Sequence, residues 1–99
     1  MWWDNNDWAA RHLAKHGVTV REAWEVVFEG KNVFPLVAPD QLRFPPFRRY
    51  WTINITKAGR KLLVVWEQHR IAKNLITAFE PSNEKVKIYE RQVKKGRGR

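Results

Sequence analysis

The feature that most constrains the fold is a change in the spacing of the apolar residues. Before Gly30 they recur every three to four positions, and after Arg48 they recur every second position. These are the repeats of a buried helix face and of a strand. The spacing turns helical again at Val86, Tyr89 and Val93. The pattern predicts an α+β domain with two N-terminal helices, an antiparallel sheet of three or four strands and a C-terminal helix.

Local signals place the boundaries. The first helix is expected to begin near Asp4 to Asn6, any of which can cap it, and to run through Trp8 to His16. Trp8, Ala9, His12, Leu13 and His16 share one arc, expected to face inward. Gly17 fits a helix stop that needs a positive φ. Thr19-Val20-Arg21-Glu22 is a capping-box pattern. It opens a second helix to about Glu29 that buries Val20, Ala23, Trp24 and Val27 or Phe28, and Gly30 ends it. Pro35, Pro39, Pro45 and Pro46 break regularity between Asn32 and Phe47, apart from a short strand around Val33 to Val37.

In the first long strand Trp51, Ile53 and Ile55 point one way and Tyr50, Thr52 and Asn54 the other. A turn at Lys57-Ala58-Gly59-Arg60 leads into an apolar strand from Lys61 to Glu67, expected to be central. Gln68-His69-Arg70 then turns the chain, and Ile71 to Phe79 completes a meander. Pro81-Ser82-Asn83 opens the last helix. Residues 1–93 form one domain in this reading, and residues 94–99 a basic tail expected to be disordered.

The formal charge of +9 is unevenly distributed. Residues 1–42 hold four Lys/Arg against six Asp/Glu, a net of −2; residues 43–99 hold fifteen against four, a net of +11. Such a field attracts polyanions and releases counterions on meeting phosphates. No segment pairs a basic face with a broad apolar one, and the longest apolar run, Leu62 to Trp66, is too short to span a bilayer. No membrane partner is expected. The first residues lack a basic region followed by an apolar run, so the expected location is the cytoplasm.

Several chemistries find no support in the sequence. There is no Cys to form a disulfide or thiolate site, no glycine-rich phosphate loop and no Ser in a nucleophile elbow. His12 and His16, at i and i+4, share a helix face, but the spacing offers no third ligand. Neither a metal nor another cofactor is expected.

What remains suits RNA cleavage without a metal. That reaction needs a group to take the 2′-hydroxyl proton, cations to stabilise the phosphorane and a proton for the leaving oxygen. Arg48 shares parity with Tyr50 on the first long strand, and Arg70 sits at the turn before the third. Arg48 and Arg70 are the candidate charge stabilisers, with Tyr50, Glu67 and His69 as candidate proton carriers. Lys15, His16, Arg49, Lys61, Lys73 and Arg91 are candidate RNA contacts, His16 having helix-end packing as its alternative. A solvated cationic face would contain the same residue types.

The order of short motifs adds a resemblance. "WD" at Trp3-Asp4 leads to "KHGV" at Lys15 to Val18, then to a capped helix with Glu22-Ala23 and Val27-Phe28. "RRYW" at Arg48 to Trp51, the glycine turn at Gly59, "LLVVW" at Leu62 to Trp66, Arg70, "ITA" at Ile76 to Ala78 and a helix bearing Tyr89 follow. In this order and spacing, from Trp3 to Tyr89, the chain resembles the BrnT family of type II toxins. The resemblance implies a RelE-like fold and a growth-inhibiting endoribonuclease. It also implies a partner antitoxin, a small DNA-binding protein that covers the toxin and helps repress their operon, in a toxin–antitoxin hetero-oligomer. The basic face would then meet RNA and the acidic segment of an antitoxin. The chain departs from the pattern with His12 where Asn is common, Thr77-Ala78-Phe79 in place of "SAR", and Lys85 at the position of a Glu. Two other classes stay open: a non-catalytic RNA- or DNA-binding module on the same fold, and a subunit whose basic face binds an acidic protein.

Overall fold

The structure, a computed structural model, describes residues 6–29, 36–37, 48–69 and 72–97. Helix α1 (Asn6–Ala14) is followed by α2 (Val20–Trp24), which runs on into a π-helical turn at Glu25–Glu29. The strands are β1 (Leu36–Val37), β2 (Arg48–Ile55), β3 (Lys61–His69) and β4 (Ala72–Phe79), and α3 (Asn83–Arg97) comes last. The sheet has the order β1-β2-β3-β4, every pair antiparallel. Mixed α+β architecture with a meander is therefore observed, with β1 as a two-residue edge strand.

The interior position of β3 explains its composition. Successive side chains leave opposite faces of a strand, and both faces of β3 are covered, so "LLVVW" is apolar throughout. Leu62, Val64 and Trp66 join Ala9 and Leu13 of α1, Val18, Ala23, Val26 and Val27, with Leu75 and Ala78 of β4. On the opposite face Leu63 packs with Trp51, Ile53 and Tyr89 of α3, and Val86 and Val93 pack against this second cluster. The register follows, with Tyr50 opposite Trp66, Trp51 opposite Val65, Thr52 opposite Val64 and Ile53 opposite Leu63. On the β4 side the pairing shifts between Val65 and Trp66, whose partners are Thr77 and Leu75. Ile76 is the extra residue of this bulge.

The N-terminal signals act as read. The Thr19 side chain accepts from the Glu22 amide, and the Glu22 carboxylate accepts from the Thr19 amide at 3.0 Å, completing the capping box. Gly17 has φ +69° and its amide donates to the Ala14 carbonyl at 3.1 Å. The β2–β3 turn closes with Thr56 and Arg60 paired through the backbone at 2.8 Å, and Gly59 has φ +87°.

Five expectations are corrected. Helix α1 stops at Ala14, two residues short of His16, and Trp8 and His16 are exposed. Ala9 and Leu13 take the buried side, so the inward arc is narrower than the row of large side chains. Second, Ala23 and Val27 are buried as expected, but the π turn adds Val26 to the core, and Val20 and Trp24 are only partly buried at its margin with Phe28. Third, Gln68 and His69 belong to β3, held by pairing with Arg48, Lys73 and Ala72. Fourth, Ile55 is half exposed rather than sharing the burial of Trp51 and Ile53. Fifth, α3 continues through Arg97, so Lys94 to Arg97 are helical rather than a disordered tail. The helix start at Asp4 and Asn5, the stop at Gly30 and most of the proline-rich stretch lie outside the described residues.

Gly17→Ala tests the α1 stop. A β-carbon there would meet nothing nearer than the Arg60 guanidinium at 3.8 Å, so the penalty is that of the backbone. Chemical denaturation should show a loss of about 1 kcal/mol.

Candidate active site

Three of the candidate residues converge where β2 and β3 reach the end of the sheet. Arg49 and Glu67 are direct partners in the β2–β3 register, and Glu67 and His69, two apart on one strand, share its face. The Arg49 Nη2 donates to Glu67 Oε2 at 2.7 Å, with side chains only 13% and 11% exposed. The other carboxylate oxygen, Oε1, lies 3.1 Å from His69 Nε2. Asn74 of β4 lies opposite Glu67 in the ladder. Burial alone would push the Glu67 carboxyl up, but the hydrogen bonds and charges of Arg49 and His69 outweigh it and hold the group below its ordinary range. Glu67 is thus a fixed anion at neutral pH, suited to orienting an imidazole rather than to carrying a proton itself. His69 is the group in this cluster with a ring nitrogen that can accept a proton from a substrate.

The opposite face of the same strands carries a different arrangement. Tyr50 stacks on Trp66 with ring centroids 4.8 Å apart. The Lys73 ammonium lies 4.3 Å from the Trp66 centroid and 5.6 Å from that of Phe28, and donates to Gln68 Oε1 at 2.9 Å. Burial pushes this ammonium below its ordinary value. Tyr50 and Lys73 therefore sit on the α1/α2 side of the sheet, away from Glu67 and His69.

The remaining candidates are dispersed. Arg48 opens β2 opposite Gln68, and Arg70 lies outside the described residues. Lys15 and His16 are exposed in the turn after α1, and Arg91 is exposed on α3. Lys61 begins β3, eight residues from His69 and so roughly 26 Å from it along the strand. It borders a hollow shared with Arg60, Glu80, Lys87 and Glu90. His12 and His16 approach edge to face at 5.7 Å, and among the described residues no group of three His, Asp or Glu is placed to hold a metal ion.

One functional side chain of the scaffold was not singled out by the sequence. Arg60 Nη1 donates to the Gly17 carbonyl at 2.7 Å and lies 3.2 Å from Glu22 Oε2, while its Nη2 is 3.6 Å from Glu80. The Thr19 amide first, and then Arg60 against the opposing effect of burial, hold the Glu22 carboxyl below its ordinary value. Arg60 thereby fastens the β2–β3 turn to the end of α1 and to the capping box. Glu22 and Gly17 are 38 and 43 residues away, Glu80 is distant as well, and no local spacing announces them.

Comparison of the chain with protein-family models, curated proteins and solved structures finds no match in any of the three. Among the described residues no helix is long and apolar enough to cross a membrane.

Removing the carboxylate from the cluster should be costly, because it takes the shared anion from a guanidinium and an imidazole whose side chains are each largely shielded from water. Glu67→Ala should lose about 2 kcal/mol of stability. A carboxyl whose folded value lies below 4.5 contributes stability that is complete above the unfolded value and lost as the pH falls through the folded one. The parent should therefore lose stability below pH 4.5 more steeply than Glu67→Ala, as read by denaturation midpoints against pH.

Proposed function

We propose that this chain is a metal-independent endoribonuclease, the toxin of a type II toxin–antitoxin pair, with a RelE-like fold as the BrnT resemblance implies. The observation that carries the reading is the part-buried Arg49–Glu67–His69 cluster at the sheet end, adjoined in sequence by Arg48 and Arg70 within the half of the chain that carries a net +11. Its residue types match the demands of the reaction. His69, oriented by Glu67, takes the proton of the 2′-hydroxyl. The 2′-oxygen bonds to phosphorus, the bond from phosphorus to the 5′-oxygen breaks, and that oxygen departs with a proton from water. The products are a 2′,3′-cyclic phosphate and a 5′-hydroxyl. Arg70, next to His69 in sequence, stabilises the phosphorane, since a guanidinium can donate two hydrogen bonds to neighbouring oxygens; Arg48 pairs with Gln68 and starts from the face that carries Tyr50, so it is left to binding. Tyr50 lies on the other face of the sheet and drops out of the proton path.

The partner in this reading is a cognate DNA-binding antitoxin whose acidic segment covers the same cations, in a hetero-oligomer formed in the cytoplasm. One observation favours a second reading, binding without cleavage. Phe79 stands where the family carries a cation, and its ring is turned to His16 at 6.1 Å. RNA bound but left intact would favour that reading over the enzyme.

The test is incubation of the purified chain with RNA in EDTA, together with growth on induction. Cleavage should persist in EDTA and fall by about 10²-fold in His69→Asn and in Arg70→Ala, both still folded. Cleavage abolished by EDTA, or folded variants cutting at the parent rate, would defeat the assignment.

A further inference from the structure

We propose that the exposed margin of α1 beside β4, with the turn after it, forms a stacking strip for unpaired RNA bases, flanked by cations that meet the phosphates. The inference takes the polyanion from the RNA reading above and adds the form in which RNA is held. Residues three and four apart on a helix are neighbours, so Trp8 and His12 start one row with Arg11 beside it, and the turn after α1 adds His16 to the first and Lys15 next to Arg11. Trp8 and His12 are parallel, with centroids 5.1 Å apart and planes 5° from coplanar. His16 meets His12 edge to face at 5.7 Å, and Phe79 of β4 carries the row onto the sheet at 6.1 Å from His16. The row is anchored, because His12 Nε2 lies 3.2 Å from Thr77 Oγ1. At its sheet end the Lys85 ammonium sits 6.0 Å from the Phe79 centroid.

Charge complementarity chooses the occupant. Trp8 is 51% exposed, and the hollow beside it is lined by two rings and two cations, Trp8, Arg11, His12 and Lys15. Two parallel tracks, one aromatic and one cationic, match a strand that presents bases on one side and phosphates on the other. An unpaired base has an open π-face for stacking, whereas a base inside a duplex is covered by its neighbours. A lipid surface would instead call for a broad apolar face, which alternating His, Arg and Lys do not make. Trp8 thus has a use for its exposure that the core does not supply.

The experiment measures binding of the full chain to a short, labelled 2′-O-methyl oligonucleotide, single-stranded or annealed to its complement, by anisotropy in EDTA at several salt concentrations. The methylated strand lacks the 2′-hydroxyl and cannot be cut. Trp8→Ala should weaken single-strand binding about tenfold and leave the salt slope at the parent value, because stacking releases no counterions. Trp8→Phe should restore most of the affinity, and Lys15→Ala should instead make the slope shallower by about 1. Duplex binding should not distinguish Trp8→Ala from the parent. Trp8→Ala binding the single strand as tightly as the parent would overturn the strip and leave that face to a protein partner. An equal loss on single strand and duplex would overturn it too, as would a parent that binds neither. Failure of the enzyme reading is separate: a parent that binds the methylated strand through Trp8 and leaves ordinary RNA intact keeps the strip and rejects the nuclease.

Discussion

Strand β3 lies between two neighbours and needs cover on both faces, and the placement of the other elements follows from that need. Leu62, Val64 and Trp66 require the two N-terminal helices, and Leu63 requires α3. The strand outruns its apolar cover at Glu67, Gln68 and His69. Polar side chains that far into a sheet must satisfy one another, and they do so differently on the two faces. One face joins a carboxylate to a guanidinium and an imidazole; the other joins an ammonium to an amide and the face of an indole. The candidate site is therefore the place where the core ends and the ladder continues.

Arg60 acts at the opposite end of the same strands. A single guanidinium reaches the last turn of one helix, the cap of the next and the start of the chain's path into α3. Lysine would be a poor substitute, since a point charge cannot address three acceptors in different directions as a planar fork can. The two ends of the sheet thus differ in kind. At one end Arg60 holds elements together, and at the other the Arg49–Glu67–His69 group presents titratable chemistry near the β3–β4 connection.

What was legible in the sequence was what short-range pattern encodes. Alternation in β2 gave both faces and so the separation of Trp51 and Ile53 from Tyr50 and Thr52; the capping box and Gly17 marked a helix start and a helix stop. The α3 face at Val86, Tyr89 and Val93 was likewise local. The misread segments depend on distant partners. Gln68 and His69 resemble a turn until Arg48, Lys73 and Ala72 pair with them, and Arg60 has no neighbour in sequence that reveals its role. Glu67, His69 and Arg49 were all among the candidates, but their grouping, and the exclusion of Tyr50 from it, follow from cross-strand register rather than from composition. Trp8 was read as core with the rest of its arc; of that arc Ala9 and Leu13 are buried, and Trp8, one position round the helix from Ala9, is half exposed.

The larger of the two cores has a consequence for the order in which the molecule assembles. It joins residues 9 to 27 with residues 62 to 78, so its two halves are separated by the whole of β1 and β2. Helices of nine and five residues are too short to persist alone in water, and nothing local can bury their apolar side. The β3–β4 hairpin is the nearest pairing in sequence and has the smallest loop to close. A chain made from its N-terminus onward must therefore carry α1 and α2 as an uncommitted segment until the hairpin is complete. The segment that leaves the ribosome before its partner is among the last to become structured, an order that pulse-labelled amide exchange would record as late protection at Ala9 and Leu13.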